Sequence, residues 1–176
     1  MNNLVAIILA AGKGTRMRSK YPKVLHKVGG KPMLQHVIDA ATVAGADKKV
    51  IIVGHEAEMV EAMVGEQGTI ALQAEQLGTG HAVMQTAEAL KGFTGTALIL
   101  CGDTPLLDGE ELKKFCEAHQ ASGAAATVLT AIMDEPFGYG RIIRDANGNV
   151  QGIVEQKDAT EEQKAIKEIN TGIYCM

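Results

Sequence analysis

Seven apolar residues in a row, Leu4 to Ala10, run directly into Ala11-Gly12-Lys13-Gly14-Thr15-Arg16-Met17. A continuous, partly β-branched apolar run of this length is the pattern of a strand covered on both faces, as strands are inside parallel sheets. The residues that follow in the chain keep to that architecture. Pro32 opens a helical stretch with Met33, Val37, Ile38, Ala41 and Val43 mostly on one side, closing near Gly45. Lys49 to Val53 then reads as a strand, Glu56 to Val64 as a helix, Thr69 to Gln73 as a strand and Gly78 to Leu90 as a helix. Thr96 to Cys101 is another buried-type strand, and it ends at Gly102-Asp103. Asp108 to Ala121 reads as a helix with Asp108 as N-cap and Glu111 in the capping-box position.

Alternating strands and helices predict an α/β fold, a Rossmann-like doubly wound and mostly parallel sheet, with its chemistry at the C-terminal edge of the strands. After Ala124 to Met133 the pattern changes. Gly140 to Arg144 and Val150 to Glu155 flank Ala146-Asn147-Gly148-Asn149 as a hairpin with an Asn-Gly turn. Ala159 to Ile166 looks helical, and Ile169 to Cys175 looks like a last strand. Without repeats or linker-like stretches, residues 1–176 read as one domain, and its ending on an apolar strand is expected of a piece of a longer chain.

Charge narrows the kind of partner. Residues 1 to 38 hold Lys13, Arg16, Arg18, Lys20, Lys23, Lys27 and Lys31 and no acidic residue, while the other 138 residues hold ten basic side chains against 21 acidic ones. A short basic segment on an acidic protein points to a focused site for a small polyanion, not to nucleic acid or a membrane surface. Leu4 to Ala11 is too short to span a bilayer and has no positive residue before it, so no signal peptide is expected. Cys101, Cys116 and Cys175 form no disulfide or zinc pattern, which fits a cytoplasmic location. The five histidines have no metal-ligand spacing, and solvent or helix-packing roles are expected for them. With no Trp, three Tyr and three Phe, a bound base would be read mainly by hydrogen bonds.

The glycine-rich turn permits close backbone approach, and its amides with Lys13 and Arg16 could surround a polyphosphate. It has neither Walker A spacing nor the third glycine of the dinucleotide fingerprint, where Met17 stands instead. Taken alone, it is as compatible with a solvated surface turn.

With its neighbours the segment gains meaning. Leu9 to Met17 (LAAGKGTRM) followed by Pro22-Lys23-Val24-Leu25 resembles the opening of the sugar nucleotidyltransferases. Gln73 to Ala82 (QAEQLGTGHA), Cys101 to Leu106 (CGDTPL), Gly138 to Ile142 (GYGRI), Ile153 to Asp158 (IVEQKD) and Glu168 to Gly172 (EINTG) continue the likeness in order along essentially the whole chain. They resemble the uridyltransferase domain of the bifunctional bacterial N-acetylglucosamine-1-phosphate uridyltransferase/glucosamine-1-phosphate acetyltransferases.

That resemblance implies a fold of the nucleotide-diphospho-sugar transferase type. It also implies a Mg2+-dependent UDP-N-acetylglucosamine pyrophosphorylase, transferring uridylyl from UTP to N-acetylglucosamine 1-phosphate with release of pyrophosphate, for peptidoglycan and lipopolysaccharide precursors. Such chemistry needs no Ser, Cys or His base, because the sugar phosphate is already an anionic nucleophile; the task is charge neutralisation. By the resemblance, Leu9, Ala10, Ala11 and Gly12 contact the nucleotide, Lys13 and Arg16 hold the departing phosphates, and Lys23 meets the reacting phosphoryl groups. Gln73, Gly78 and Thr79 lie at the uracil, Cys101 and Gly102 are among the substrate-binding residues, and Asp103 binds the metal; Cys101 itself reads as a buried small residue with only a main-chain role. Tyr139, Gly140, Glu155, Asn170 and Thr171 surround the amino sugar. Arg18, Lys20, Lys27 and Lys31 have no such counterpart and are expected to be solvated charges. The family's hexapeptide-repeat β-helix, which transfers acetyl groups and forms a homotrimer, has no counterpart here, nor has a second metal-binding Asn that follows the last strand.

Overall fold

Leu4–Leu9 forms strand β1, and every one of its first five side chains is buried. The computed structural model describes residues 3–12, 14, 17–54 and 56–176, in two compact units: Met1–Ala126 with Tyr174–Met176, and Thr127–Ile173. Lys13 and Arg16, two of the expected phosphate-binding residues, and His55 lie outside the described residues.

In the first unit a short hairpin, β2 (Lys27–Val28) with β3 (Lys31–Pro32), precedes helix α1 (Met33–Val43). Then come β4 (Lys48–Val53), α2 (Ala57–Val64), β5 (Thr69–Leu72), α3 (Thr79–Met84), β6 (Thr96–Cys101) and α4 (Gly109–Ser122). The strands lie in the order β5-β4-β1-β6, all parallel, and Tyr174 and Cys175 add an antiparallel pairing against Ile99 and Leu98 of β6. The apolar β1 explains this order, since only a strand sheltered on both faces can lie inside such a sheet. Val5 and Ile7 pack in one cluster with Val50, Ile52, Ala71, Ala82 and Ile99, while Ala6 and Ile8 are equally buried on the opposite face. Burying such a side chain contributes about 1.5–3 kcal/mol.

Register brings the strand ends together. Leu9 pairs with both Ile52 and Cys101, and Val53 pairs with Leu72, so the segments following β1, β4, β5 and β6 leave the sheet at one edge. The chain builds β4 and β5 on one side of β1 and then returns to place β6 on the other. That reversal leaves a crevice at the ends of β1 and β6, where ligands bind in sheets of this type.

The second unit contains β7 (Thr127–Ile132), β8 (Arg141–Arg144), β9 (Val150–Val154), α5 (Glu161–Lys164) and the residues of β10 (Glu168–Cys175) up to Ile173. β8 pairs antiparallel with β9 and with β10, which also pairs with β7.

Several local expectations change. The helix expected from Gly78 to Leu90 ends at Met84, because Thr86 turns its hydroxyl onto the Val83 carbonyl (2.7 Å) and the next amides bond three residues back. Asp108 does cap α4, accepting from the Glu110 and Glu111 amides, but Glu111 pairs with Lys114 at 2.7 Å and completes no capping box. A full capping box stands instead at Thr160 and Gln163. In the β8–β9 connection it is the Asp145 carboxylate that gathers the Asn147 and Asn149 amides, while Gly148, at φ 83°, bonds the Asp145 carbonyl; a two-residue Asn-Gly turn is not formed. Lys31 stays exposed, as a solvated charge does, and pairs at the surface with Asp39 at 2.6 Å.

Candidate active site

The crevice at the strand ends is a cleft of about 510 Å³ lined by Leu9, Ala11, Gly12, Gly14, Met17, Lys23, Val24, Gln73, Gln76, Gly78, Thr79, Ala82, Cys101 and Asp103. Residues chosen from four separate stretches of sequence therefore share one cavity. Ala10 and Gly102 do not line it; they build its wall. Ala10 donates to the Ile52 carbonyl (2.8 Å) and Gly102 to the Leu9 carbonyl (2.9 Å). A Cβ on Gly102 would stand 2.9 Å from that carbonyl and 3.3 Å from Leu34, so only glycine lets the chain turn there against β1.

Lys23 and Asp103, 80 residues apart, meet at 2.5 Å between Nζ and Oδ2, each side chain about one-third exposed. Gly14 sets the approach: it has φ 56°, and a Cβ on it would lie 2.7 Å from the Lys23 Cβ. Asp103 thus serves neither as helix cap nor turn cap, and its Oδ1 accepts no hydrogen bond among the described residues. Beside it Cys101 is half-buried and lines the cleft. Burial first, then the Asp103 charge, pushes its thiol up, against a smaller opposing pull from Lys23. The Cys101 carbonyl accepts from the Thr104 hydroxyl at 2.7 Å, which fixes the chain as it leaves β6.

Across the cleft Gln73 is 4% exposed, and its Nε2 donates to the Gly78 carbonyl at 3.1 Å. Gln76, which the sequence reading did not single out although it stands inside the Gln73 to Ala82 motif, donates to the Ala11 carbonyl at 2.5 Å. It ties the loop after β5 to the glycine-rich turn. Met17, Val24 and Ala82 also line the cleft, and nothing in their residue types marked them for it.

In the second unit Gly140, Glu155 and Asn170 come together. A Cβ on Gly140 would lie 3.1 Å from the Glu155 Oε1, and the Asn170 amide donates to the Gly140 carbonyl at 2.9 Å. Tyr139 is exposed beside them, whereas Thr171 turns its hydroxyl to the Leu129 carbonyl of β7 at 2.6 Å. Among the described residues no helix is long and apolar enough to cross a membrane, and no three His, Cys, Asp or Glu side chains cluster to hold a metal.

The nucleotidyl transferase family model matches residues 5–176. The bifunctional protein GlmU of Bacillus cereus is 58% identical over 175 residues, a match that covers 99% of this chain and 38% of the relative. The chain thus spans less than two-fifths of the length of the curated relatives it matches. A structure assigned as a glucose-1-phosphate thymidylyltransferase from Bacillus anthracis, in complex with sucrose, superposes with a TM-score of 0.84 at 24% identity, over 98% of this chain and 70% of the other. A UDP-glucose pyrophosphorylase complexed with UDP-glucose gives 0.77 at 19% identity, over 100% and 76%. At those identities the two structures speak for the fold. With a mostly parallel sheet, a glycine-rich turn at its switch point, and a family match from Val5 to the last residue, the chain belongs to the nucleotidyl transferase family.

Proposed function

We propose that this chain carries a uridylyltransferase centre, joining UTP and N-acetylglucosamine 1-phosphate to give UDP-N-acetylglucosamine and pyrophosphate. The observation that carries the reading is a single cleft holding Lys23 and Asp103 on one side and Gln73 with Gly78 and Thr79 on the other, with the glycine-rich turn between them in the lining. The 58% identity to GlmU supports it.

In this reading the main chain of Leu9 to Gly12 lies along the nucleotide, and Gly12 leaves room for it, since a Cβ there would meet none of the described residues within 4 Å. Lys13 and Arg16 would neutralise the departing pyrophosphate, and Lys23 the reacting α-phosphate, so that the anionic sugar phosphate attacks against less repulsion. Asp103 fits a divalent cation such as Mg2+: one oxygen is held by Lys23 and the other has no hydrogen-bond partner among the described residues. A single hard carboxylate completed by phosphate oxygens suits that ion. When bound, Mg2+ supplies Lewis-acid neutralisation of the phosphate oxygens. Gly140, Glu155 and Asn170 would receive the amino sugar, with Gly140 leaving space beside the Glu155 carboxylate for the acyl-amino group. A cytoplasmic location and supply of peptidoglycan and lipopolysaccharide precursors belong to the same reading.

Pyrophosphate release with Mg2+, measured across UTP, CTP, dTTP and GTP with N-acetylglucosamine 1-phosphate, is expected to be fastest with UTP. A preference for another nucleotide, or UDP-sugar binding without any release, overturns it. Gly14→Ala is expected to slow release at least about tenfold, because the new methyl group displaces Lys23 while the positive φ costs only about 1 kcal/mol of stability. An unchanged rate would show that Gly14 does not position Lys23.

A further inference from the structure

The Gln73 side chain is buried, yet an amide can be turned either way round, and the two orientations read opposite base edges. With its oxygen toward the ligand it accepts from a donor such as N3–H of uracil; with its nitrogen forward it donates to an acceptor such as N3 of cytosine. What fixes the orientation therefore fixes the base. Two neighbours do so here. The Gly78 carbonyl, which also accepts from the Ala82 amide, can only accept, so the Gln73 nitrogen must face it at 3.1 Å. His81 presents Nδ1 to the same nitrogen at 3.1 Å. The Gln73 oxygen is left with no hydrogen bond among the described residues, in a residue that lines the cleft.

The imidazole has its own constraint. A neutral ring has one acceptor nitrogen, and both Gln73 Nε2 (3.1 Å, at Nδ1) and Gln85 Nε2 (3.2 Å, at Nε2) approach it. Only one of them can be accepted. Burial decides for Gln73, which is 4% exposed and already pinned by Gly78. The proton then sits on His81 Nε2, and the half-buried Gln85 directs its nitrogen to another acceptor, donating to the His81 carbonyl at 3.1 Å.

We propose that His81 is a positioning residue that locks the Gln73 amide with its oxygen toward the base and so separates uracil from cytosine. The proposal rests on the reading of Gln73 as the base contact. It makes a distinction within the pyrimidines that a general role in packing does not. Thymine carries the same N3–H as uracil, so loss of the lock weakens discrimination against CTP and leaves the ratio of UTP to dTTP where it was.

Calorimetric dissociation constants for UTP, CTP and dTTP test this on the wild-type chain and on His81→Phe, which keeps ring volume without an acceptor, and His81→Asn, whose amide oxygen can occupy the place of Nδ1. The expected result is a preference for UTP over CTP in the wild type, about tenfold narrower in His81→Phe and largely restored in His81→Asn, as loss and return of one buried hydrogen bond imply. The UTP to dTTP ratio stays unchanged throughout. A wild-type preference that survives intact in His81→Phe, or one that His81→Asn fails to restore, overturns the positioning role while leaving the uridylyl reading standing. A wild type that does not prefer UTP to CTP overturns that reading, and the proposal with it.

Discussion

Asp103→Asn is expected to lower the rate of pyrophosphate release by roughly 100- to 1000-fold, the range typical of removing one preorganised charged or polar group from a reaction centre. UTP binding should weaken by less than about tenfold. The asymmetry follows from the ion pair. In the wild type, one oxygen of Asp103 holds Lys23 at 2.5 Å and the other accepts no hydrogen bond among the described residues; the amide retains the size but loses the charge that a hard cation requires. Lys23 is then released toward the phosphates, which preserves attraction for the nucleotide. Stability should hardly change, since both partners are about one-third exposed and such pairs contribute about 0–1 kcal/mol. Rates, nucleotide affinity and thermal midpoint measured together check the point. Equal losses in binding and turnover would count against a metal role, and so would an unaltered dependence of rate on Mg2+ concentration.

The same pair shows how much of the site was legible in the chain. β1, α1, β4 and β6 could be read almost to the residue, because an apolar run, a proline at a helix start and turn glycines are local signals. That Lys23 and Asp103 belong to one site came from ordered motifs resembling a family; their contact depends on parallel register across β1 and β6, and no local pattern contains it. Gln76 was passed over although it stood in a quoted motif, because a glutamine in a loop has no distinguishing spacing, and its bond to the Ala11 carbonyl is created only when two strand ends meet. The helix after Gly78 was overextended for the opposite reason: Ala82, Ala89 and Leu90 fit a helical period, and a single Thr86 hydroxyl competing for a carbonyl ended it. Among the histidines, solvent or helix packing was the expected role. His81 departs from it through a contact with a residue eight positions away.

Replacing Arg141 by Ala is expected to destabilise the second unit by about 3 kcal/mol. Arg141 is 1% exposed, and a buried charge ordinarily pairs with an opposite one. Here its partners are three neutral oxygens: the Tyr139 carbonyl, the Gln156 Oε1 at 2.8 Å and the Lys164 carbonyl at 3.4 Å. Gln156 passes the connection on, since the same oxygen accepts from the Gly138 amide at 3.2 Å. One guanidinium therefore joins the segment before β8, the segment after β9 and the end of α5, the first two of which carry Gly140 and Glu155. Two effects oppose each other in the variant. Removing an incompletely bonded cation, whose Nε is buried with no partner among the described residues, relieves desolvation. Against that, the oxygens lose their donor at about 1–3 kcal/mol for each one left buried, and the long stem leaves a cavity. The second set is larger because several oxygens share it. Arg141→Met separates the two contributions by keeping most of the stem, and it should cost about half as much as Ala. At the usual dependence of about 1–3 kcal/mol per molar urea, the Ala variant should lower the denaturation midpoint by about 1 M or more. A midpoint unmoved in Arg141→Ala would mean that the three oxygens find other donors, and that the Gly140 and Glu155 segments are held together without this side chain.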